Sequence, residues 1–291
     1  MKNRKFSGTG VALVTPFKSN KEIDYQALDK IINHVIDNGV DYIVTLGTTG
    51  ETPTLSKAEK ETVARFTVQT VARRTPIVVG IGSNNTAETV KTIQKFDLQG
   101  IDGILSIAPY YNKPNQEGIY QHYKAIGEAS PLPIIAYNVP GRTGVNMTAE
   151  TTLRIAADCP NIVAIKEASG NLVQIMQILK NRPEHFLTLS GDDSLTYPMM
   201  ALGADGVISV AAQAVPQIFS DMVHFALDGD FAAARQNHYQ MLDLMEMIFA
   251  DGSPAGVKAA LQHLGLCENE LRLPLAPVNE KVLALIRVTL N

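Results

Sequence analysis

Fifteen lysines are spread along the chain, and all but one fall in loops, at the termini or within amphipathic helical patterns, where a solvated ammonium is expected. Lys166 closes an apolar run, Ile162-Val163-Ala164-Ile165. A lysine at the end of a buried strand loses hydration, which lowers its pKa and frees a nucleophilic amine. Schiff-base chemistry on a carbonyl substrate follows. On position alone, Lys166 reads equally as the salt-bridge partner of Glu167 or another wall carboxylate. Three other stretches hold groups that such a reaction needs. Gly47-Thr48-Thr49-Gly50-Glu51 offers amides and hydroxyls to a carboxylate, or is an ordinary tight turn capping a helix. Tyr137-Asn138-Val139-Pro140-Gly141-Arg142-Thr143-Gly144 sets a tyrosine that could move a proton ahead of a lone arginine. Arg142 either clamps a carboxylate bidentately or sits on the surface of a turn. Pro109-Tyr110-Tyr111-Asn112 puts two aromatics on one loop, which suits an active site or a subunit interface.

Other motifs fall away. Gly80-Ile81-Gly82-Ser83-Asn84-Asn85 lacks the third glycine of a dinucleotide fingerprint and reads as a strand-end turn. Asp192-Asp193, before a helical pattern, reads as an N-cap. The six histidines form no metal-ligand pair, and no Gly-x-Ser-x-Gly elbow is present.

What must position these groups is an alternation of short apolar runs and amphipathic stretches. Strands are expected at Val11–Thr15, Tyr42–Thr45, Ile77–Ile81, Gly103–Ile107, Ile134–Asn138, Ile162–Glu167, Phe186–Ser190 and Val207–Val210. Apolar at nearly every position, they fit parallel strands buried on both faces. Eight strand–helix repeats favour a (β/α)8 TIM barrel of the α/β class, whose working residues sit at the C-terminal strand ends. Those ends include every stretch named above. After Val210 only helices are expected: Pro216–Leu227, Phe231–Phe249, Pro254–Leu264 and Asn279–Leu290. The division is a catalytic barrel over 1–228 and a C-terminal helical extension over 229–291.

Composition narrows the function class. With 291 residues, 45% hydrophobic and 19% charged, the chain can fill a large core. A net charge of -4 without a basic cluster argues against a nucleic-acid partner. No apolar run reaches the length of a membrane span, and Val11–Val14 is too brief for a signal peptide's apolar core. Two distant cysteines, Cys159 and Cys267, suit a reducing compartment, so a cytoplasmic protein is expected.

Taken together, Gly47–Glu51, Tyr137–Gly144 and Ile165-Lys166-Glu167-Ala168 closely resemble the dihydrodipicolinate synthase/N-acetylneuraminate lyase superfamily of pyruvate-dependent aldolases. The likeness runs from Gly8–Pro16 to Leu271-Arg272-Leu273-Pro274. It implies that Lys166 forms the imine with pyruvate, that Tyr137 shuttles protons beside it, and that Thr49 receives the pyruvate carboxylate. Thr48 would relay protons to Tyr111, which the family lends to the neighbouring subunit's site. Gly191 and Ile208 fall where the family supplies backbone contacts near the imine. Arg142-Thr143 matches the synthase pattern, in which the arginine binds the carboxylate of L-aspartate 4-semialdehyde. The alternatives are a sugar-acid aldolase of the same superfamily or a non-catalytic carboxylate-binding paralogue. Ser253 departs from the asparagine of many synthases but stands outside the expected catalytic set. The resemblance also implies no cofactor or metal, a homotetramer built as a dimer of dimers, and a lysine effector site at Asn84, Glu88 and Tyr110. Lys57 and Lys60 stand where strongly inhibited members have histidines, so weak or absent inhibition is expected.

Overall fold

Parallel pairing joins eight short strands in chain order into a closed barrel, with β1 hydrogen-bonded to both β2 and β8. The computed structural model describes residues 4–290; the outer ends of the expected 1–228 and 229–291 divisions, residues 1–3 and 291, lie outside the described residues. The strands are Gly8–Ala12 (β1), Tyr42–Thr45 (β2), Ile77–Gly80 (β3), Gly103–Ile107 (β4), Ile134–Asn138 (β5), Ile162–Glu167 (β6), Leu187–Ser190 (β7) and Gly206–Ser209 (β8). The intervening helices are Tyr25–Asp37 (α1), Lys57–Val71 (α2), Thr86–Lys95 (α3), Gln116–Ala129 (α4), Pro140–Thr143 (α5), Ala149–Asp158 (α6), Leu172–Asn181 (α7) and Thr196–Ala201 (α8). Side chains alternate across each strand. Ala12, Val44, Val78, Leu105, Ile135, Ala164, Leu189 and Ile208 fill the barrel interior, and the opposite faces pack under the helices.

Local signals set the helix starts. Asp24 accepts the Gln26 and Ala27 amides at the head of α1, and Ser56 with Glu59 forms a reciprocal capping box on α2. β1 is the strand displaced from its expected place. It begins at Gly8, not Val11, because its pairing with β8 recruits Gly8-Thr9-Gly10. A side chain at Gly10 would collide with the Tyr42 ring, 2.2 Å away. Backbone pairing, not apolar side chains, carries this strand. The Asp192-Asp193 expectation also needs correcting. Asp193 does not cap α8, whose N-cap is Leu195; it turns inward and accepts the Val210 and Ala211 amides at 3.1 and 2.8 Å.

Four helices follow β8 and its short turn: Pro216–Leu227 (α9), Phe231–Phe249 (α10), Ala255–His263 (α11) and Glu280–Thr289 (α12). The α10 stripe Met241, Leu244, Met245 and Ile248 is buried in packing. α11 and α12 share a smaller core with Ala214 and Leu271. No helix of the described residues is long and apolar enough to cross a membrane.

Candidate active site

Strand register places the two residues of greatest chemical interest side by side: Tyr137 in β5 is the Cα partner of Lys166 in β6. Lys166 is 4% exposed, and its Nζ lies 4.5 Å from the centroid of the Tyr137 ring. Burial pushes its pKa down to about 8; Asp193 opposes that shift, and Arg142 adds to it. A larger neutral fraction of this amine therefore exists near neutrality than for a solvated lysine. Burial raises the Tyr137 phenol to about 12, with Arg142 and a hydrogen bond from the Thr48 side chain pulling the other way. A protonated phenol tethered to a hydroxyl can give and take protons.

The alternative pairing of Lys166 with Glu167 does not occur. Successive strand residues face opposite ways, and Glu167 points behind the barrel wall. There it accepts from Asn138 Nδ2 at 3.1 and 3.2 Å, Gln174 Nε2 at 3.1 Å and the Ser169 amide at 2.7 Å. Burial raises its pKa despite these donors. The network ties the ends of β5 and β6 together directly behind Tyr137 and Lys166.

The threonine pair forms one 3-10 turn, Thr48–Gly50, between Leu46 and Glu51, both with positive φ (56° and 51°). Non-glycine residues resist that conformation, so the loop needs outside support. Thr52 Oγ1 donates to the Leu46 and Gly47 carbonyls at 2.8 Å, and Thr15 Oγ1 to that of Gly50 at 2.8 Å. Arg142 sits on α5, the single helical turn closed by Gly144.

Lys166, Tyr137, Thr48, Thr49, Arg142 and Gly191 all line one open cavity of about 260 Å³ at the C-terminal strand ends. Gly191 is there for space: a Cβ would lie 3.0 Å from Lys166 Cγ and Cε and 2.8 Å from Ala168 Cβ. Ile208 is not among the lining residues; it packs in the barrel interior, and Val210 reaches the cavity from the same strand end. Tyr111 stands apart, 85% exposed with φ 76° on its loop. Tyr110 borders an adjoining hollow of about 330 Å³ that shares Thr48, Tyr137 and Arg142 with this cavity and also reaches Lys60. Glu88, Lys57 and Lys60 line a further hollow of about 610 Å³, whereas Asn84 lines neither. A larger hollow, about 930 Å³, opens at the opposite strand ends and contains none of these residues.

Sequence reasoning missed Phe249 and set Ser253 outside the catalytic set; both, from the helical extension, line the cavity with Arg142. It also missed Lys258, which belongs to α11 but is fully buried against Glu51, contrary to the expectation that every lysine except Lys166 is solvated. Its neighbours Val257, Ala259, Ala260 and Leu261 were the available signal, since an amphipathic surface helix would not be apolar on both sides.

Residues 5–291 match the model of the dihydrodipicolinate synthetase family. The chain belongs to the dihydrodipicolinate synthetase family. Its relatives include the 4-hydroxy-tetrahydrodipicolinate synthase of Phocaeicola vulgatus, 53% identical over 99% of this chain and 97% of that protein. The crystal structure of dihydrodipicolinate synthase from Aquifex aeolicus superposes with a TM-score of 0.94 at 45% identity, covering 98% of this chain and 97% of the other. A structure described as a monomeric dihydrodipicolinate synthase variant superposes with a TM-score of 0.96 at 42% identity, covering 98% and 96%. In this member of the dihydrodipicolinate synthetase family, the lysine, tyrosine, threonine pair and arginine thus share a single cavity.

Proposed function

We propose that this chain is a Schiff-base lyase with 4-hydroxy-tetrahydrodipicolinate synthase activity, condensing pyruvate with L-aspartate 4-semialdehyde on the diaminopimelate route to lysine. The observation that carries the reading is the Lys166 amine, desolvated to a pKa of about 8 and lying against Tyr137 in a cavity rimmed by Arg142. The neutral amine adds to the pyruvate ketone carbon, and the carbonyl oxygen leaves as water to give the imine. Loss of a methyl proton converts the imine to an enamine, whose carbon adds to the aldehyde of the second substrate. The amino group of that substrate then closes on the imine carbon and expels the Lys166 amine. The ring forms and the enzyme is regenerated with no other cofactor or metal. Tyr137 serves as the proton carrier throughout, relayed by Thr48. Thr49 holds the pyruvate carboxylate, Gly191 and Ile208 present backbone groups near the imine, and Arg142 takes the carboxylate of the semialdehyde.

Tyr111 completes the relay in the neighbouring subunit's site. A large aromatic left 85% exposed at positive φ on a loop beside Thr143 supports an intermolecular role. The working form is a cytoplasmic homotetramer, a dimer of dimers, with the barrel over 1–228 as catalytic unit and 229–291 as its helical extension. Sedimentation at assay concentration tests this, and fully active monomers would refute the shared site.

The central experiment is borohydride reduction in the presence of pyruvate, read by intact mass and peptide mapping. The expected product is one pyruvate-derived adduct on Lys166. An adduct elsewhere would sink the role of Lys166, and no adduct at all would leave a non-catalytic carboxylate-binding protein.

A further inference from the structure

Lys258 is fully buried, and the reaction above does not use it. Its Nζ donates to Glu51 Oε1 at 2.5 Å and to the Glu270 carbonyl at 2.7 Å, and it lies 4.2 Å from the Phe17 ring centroid. The other Glu51 oxygen accepts the Arg272 amide at 3.0 Å. Glu51 is the left-handed residue that closes the threonine turn, its amide donating to the Thr48 carbonyl at 3.2 Å. Arg272 grips the same loop further on, through the Thr54 carbonyl at 3.0 Å and both oxygens of Glu59. A buried ion pair is a poor stabiliser compared with apolar side chains of similar volume. Its location is therefore more informative than its energy. It connects the C-terminal extension to the two threonines that line the cavity with Lys166.

We propose that Lys258 and Glu51 are positioning residues, a buried bolt that fixes the Thr48-Thr49 turn so that Thr49 meets the pyruvate carboxylate and Thr48 stays on Tyr137. This rests on the pyruvate reading above. Neither side chain lines the cavity, so their effect passes through the turn. The test is Glu51→Gln combined with Lys258→Met, which removes both charges without leaving one stranded. The readout is the pyruvate concentration for half-maximal borohydride trapping at Lys166, measured well below the melting temperature. A misplaced carboxylate subsite predicts a rise of about tenfold, with trapping at saturating pyruvate retained. A value within about threefold of wild type, with only the melting temperature lowered, would overturn the proposal and leave the pair a stabilising contact. Should the double variant not fold, Glu51→Asp keeps both charges and shortens the reach by one methylene, and it is read by the same criterion. Absence of trapping in the unmodified enzyme would instead defeat the pyruvate reading itself.

Discussion

Two lysines are buried among the described residues, and the chain uses them in opposite ways. Lys166 ends a barrel strand beside an aromatic ring, in a cavity open to small molecules. Lys258 lies on a helix of the C-terminal extension with a carboxylate against its ammonium. Burial pushes the pKa of both downward, but Glu51 works against the shift at Lys258. Desolvation makes a nucleophile where no counter-charge is supplied at contact distance. With a carboxylate at that distance, the same burial makes a fastener.

The sharpest way to break the contrast is to exchange each lysine for methionine. Lys166→Met is expected to abolish borohydride trapping and lower kcat by about 10⁴-fold or more, as loss of a covalent nucleophile does. Trapping at Lys166 in the Lys258→Met variant, by contrast, should remain detectable. Arg142→Ala comes next. It should cost about 100-fold in kcat/KM for the semialdehyde, the scale of a lost charged hydrogen-bond pair, while pyruvate trapping stays intact. If trapping fails too, Arg142 is not specific to the second substrate. The third effect is on stability, measured by urea denaturation. Lys258→Met strands a buried Glu51 and should lose about 3–5 kcal/mol. Lys166→Met removes an unpaired buried amine and should leave stability unchanged or higher.

Fourth, the pH profile reports the Lys166 environment. Its folded-state pKa of about 8 lies below the ordinary lysine value of 10.5, so the unfolded chain keeps the proton to higher pH. The burial cost at Lys166 is therefore greatest below pH 8 and fades as pH rises towards 10.5. Imine formation, followed by stopped-flow, should quicken about tenfold per pH unit below 8 and level off above it. A rate that keeps climbing about tenfold per pH unit up to about pH 10, with no break near 8, would contradict a depressed pKa. The smallest expected effect is that of added lysine. Lys57 and Lys60 flank the hollow shared with Glu88, and their charge opposes the ligand's ammonium. Submillimolar lysine should change the initial rate by less than about twofold, and half-inhibition in that range would show that Glu88, Asn84 and Tyr110 prevail.

The barrel was legible because parallel strands covered on both faces read as short apolar runs, and β2, β4, β5 and β6 match their runs residue for residue. β1 was misplaced because Gly8-Thr9-Gly10 carries no apolar signal; its place depends on Tyr42 and on register with β8. Lys166 was legible through its strand. The Lys258 bolt was not, because a charge pair whose partners lie 207 residues apart leaves no local pattern. Ser253 and Phe249 were hidden for the same reason: their place in the wall depends on how the extension docks, which no spacing encodes. Asp193 misled because a pair of acids before a helix satisfies the N-cap pattern, although its amide partners, Val210 and Ala211, lie a strand away.

The grip of Arg272 and Lys258 on residues 47–59 also bears on the order in which the protein matures. The threonine turn is among the early parts of the chain to be synthesised, yet its fasteners lie 207 and 221 residues later. Closing loops of that length comes late, after local helices and neighbouring strands have formed. The nascent barrel can thus acquire its secondary structure while the turn over Lys166 is still unlatched, and competence for pyruvate arrives with the last helices. In a refolding experiment, far-ultraviolet dichroism should recover before trapping at Lys166, and simultaneous recovery of the two signals would count against this order.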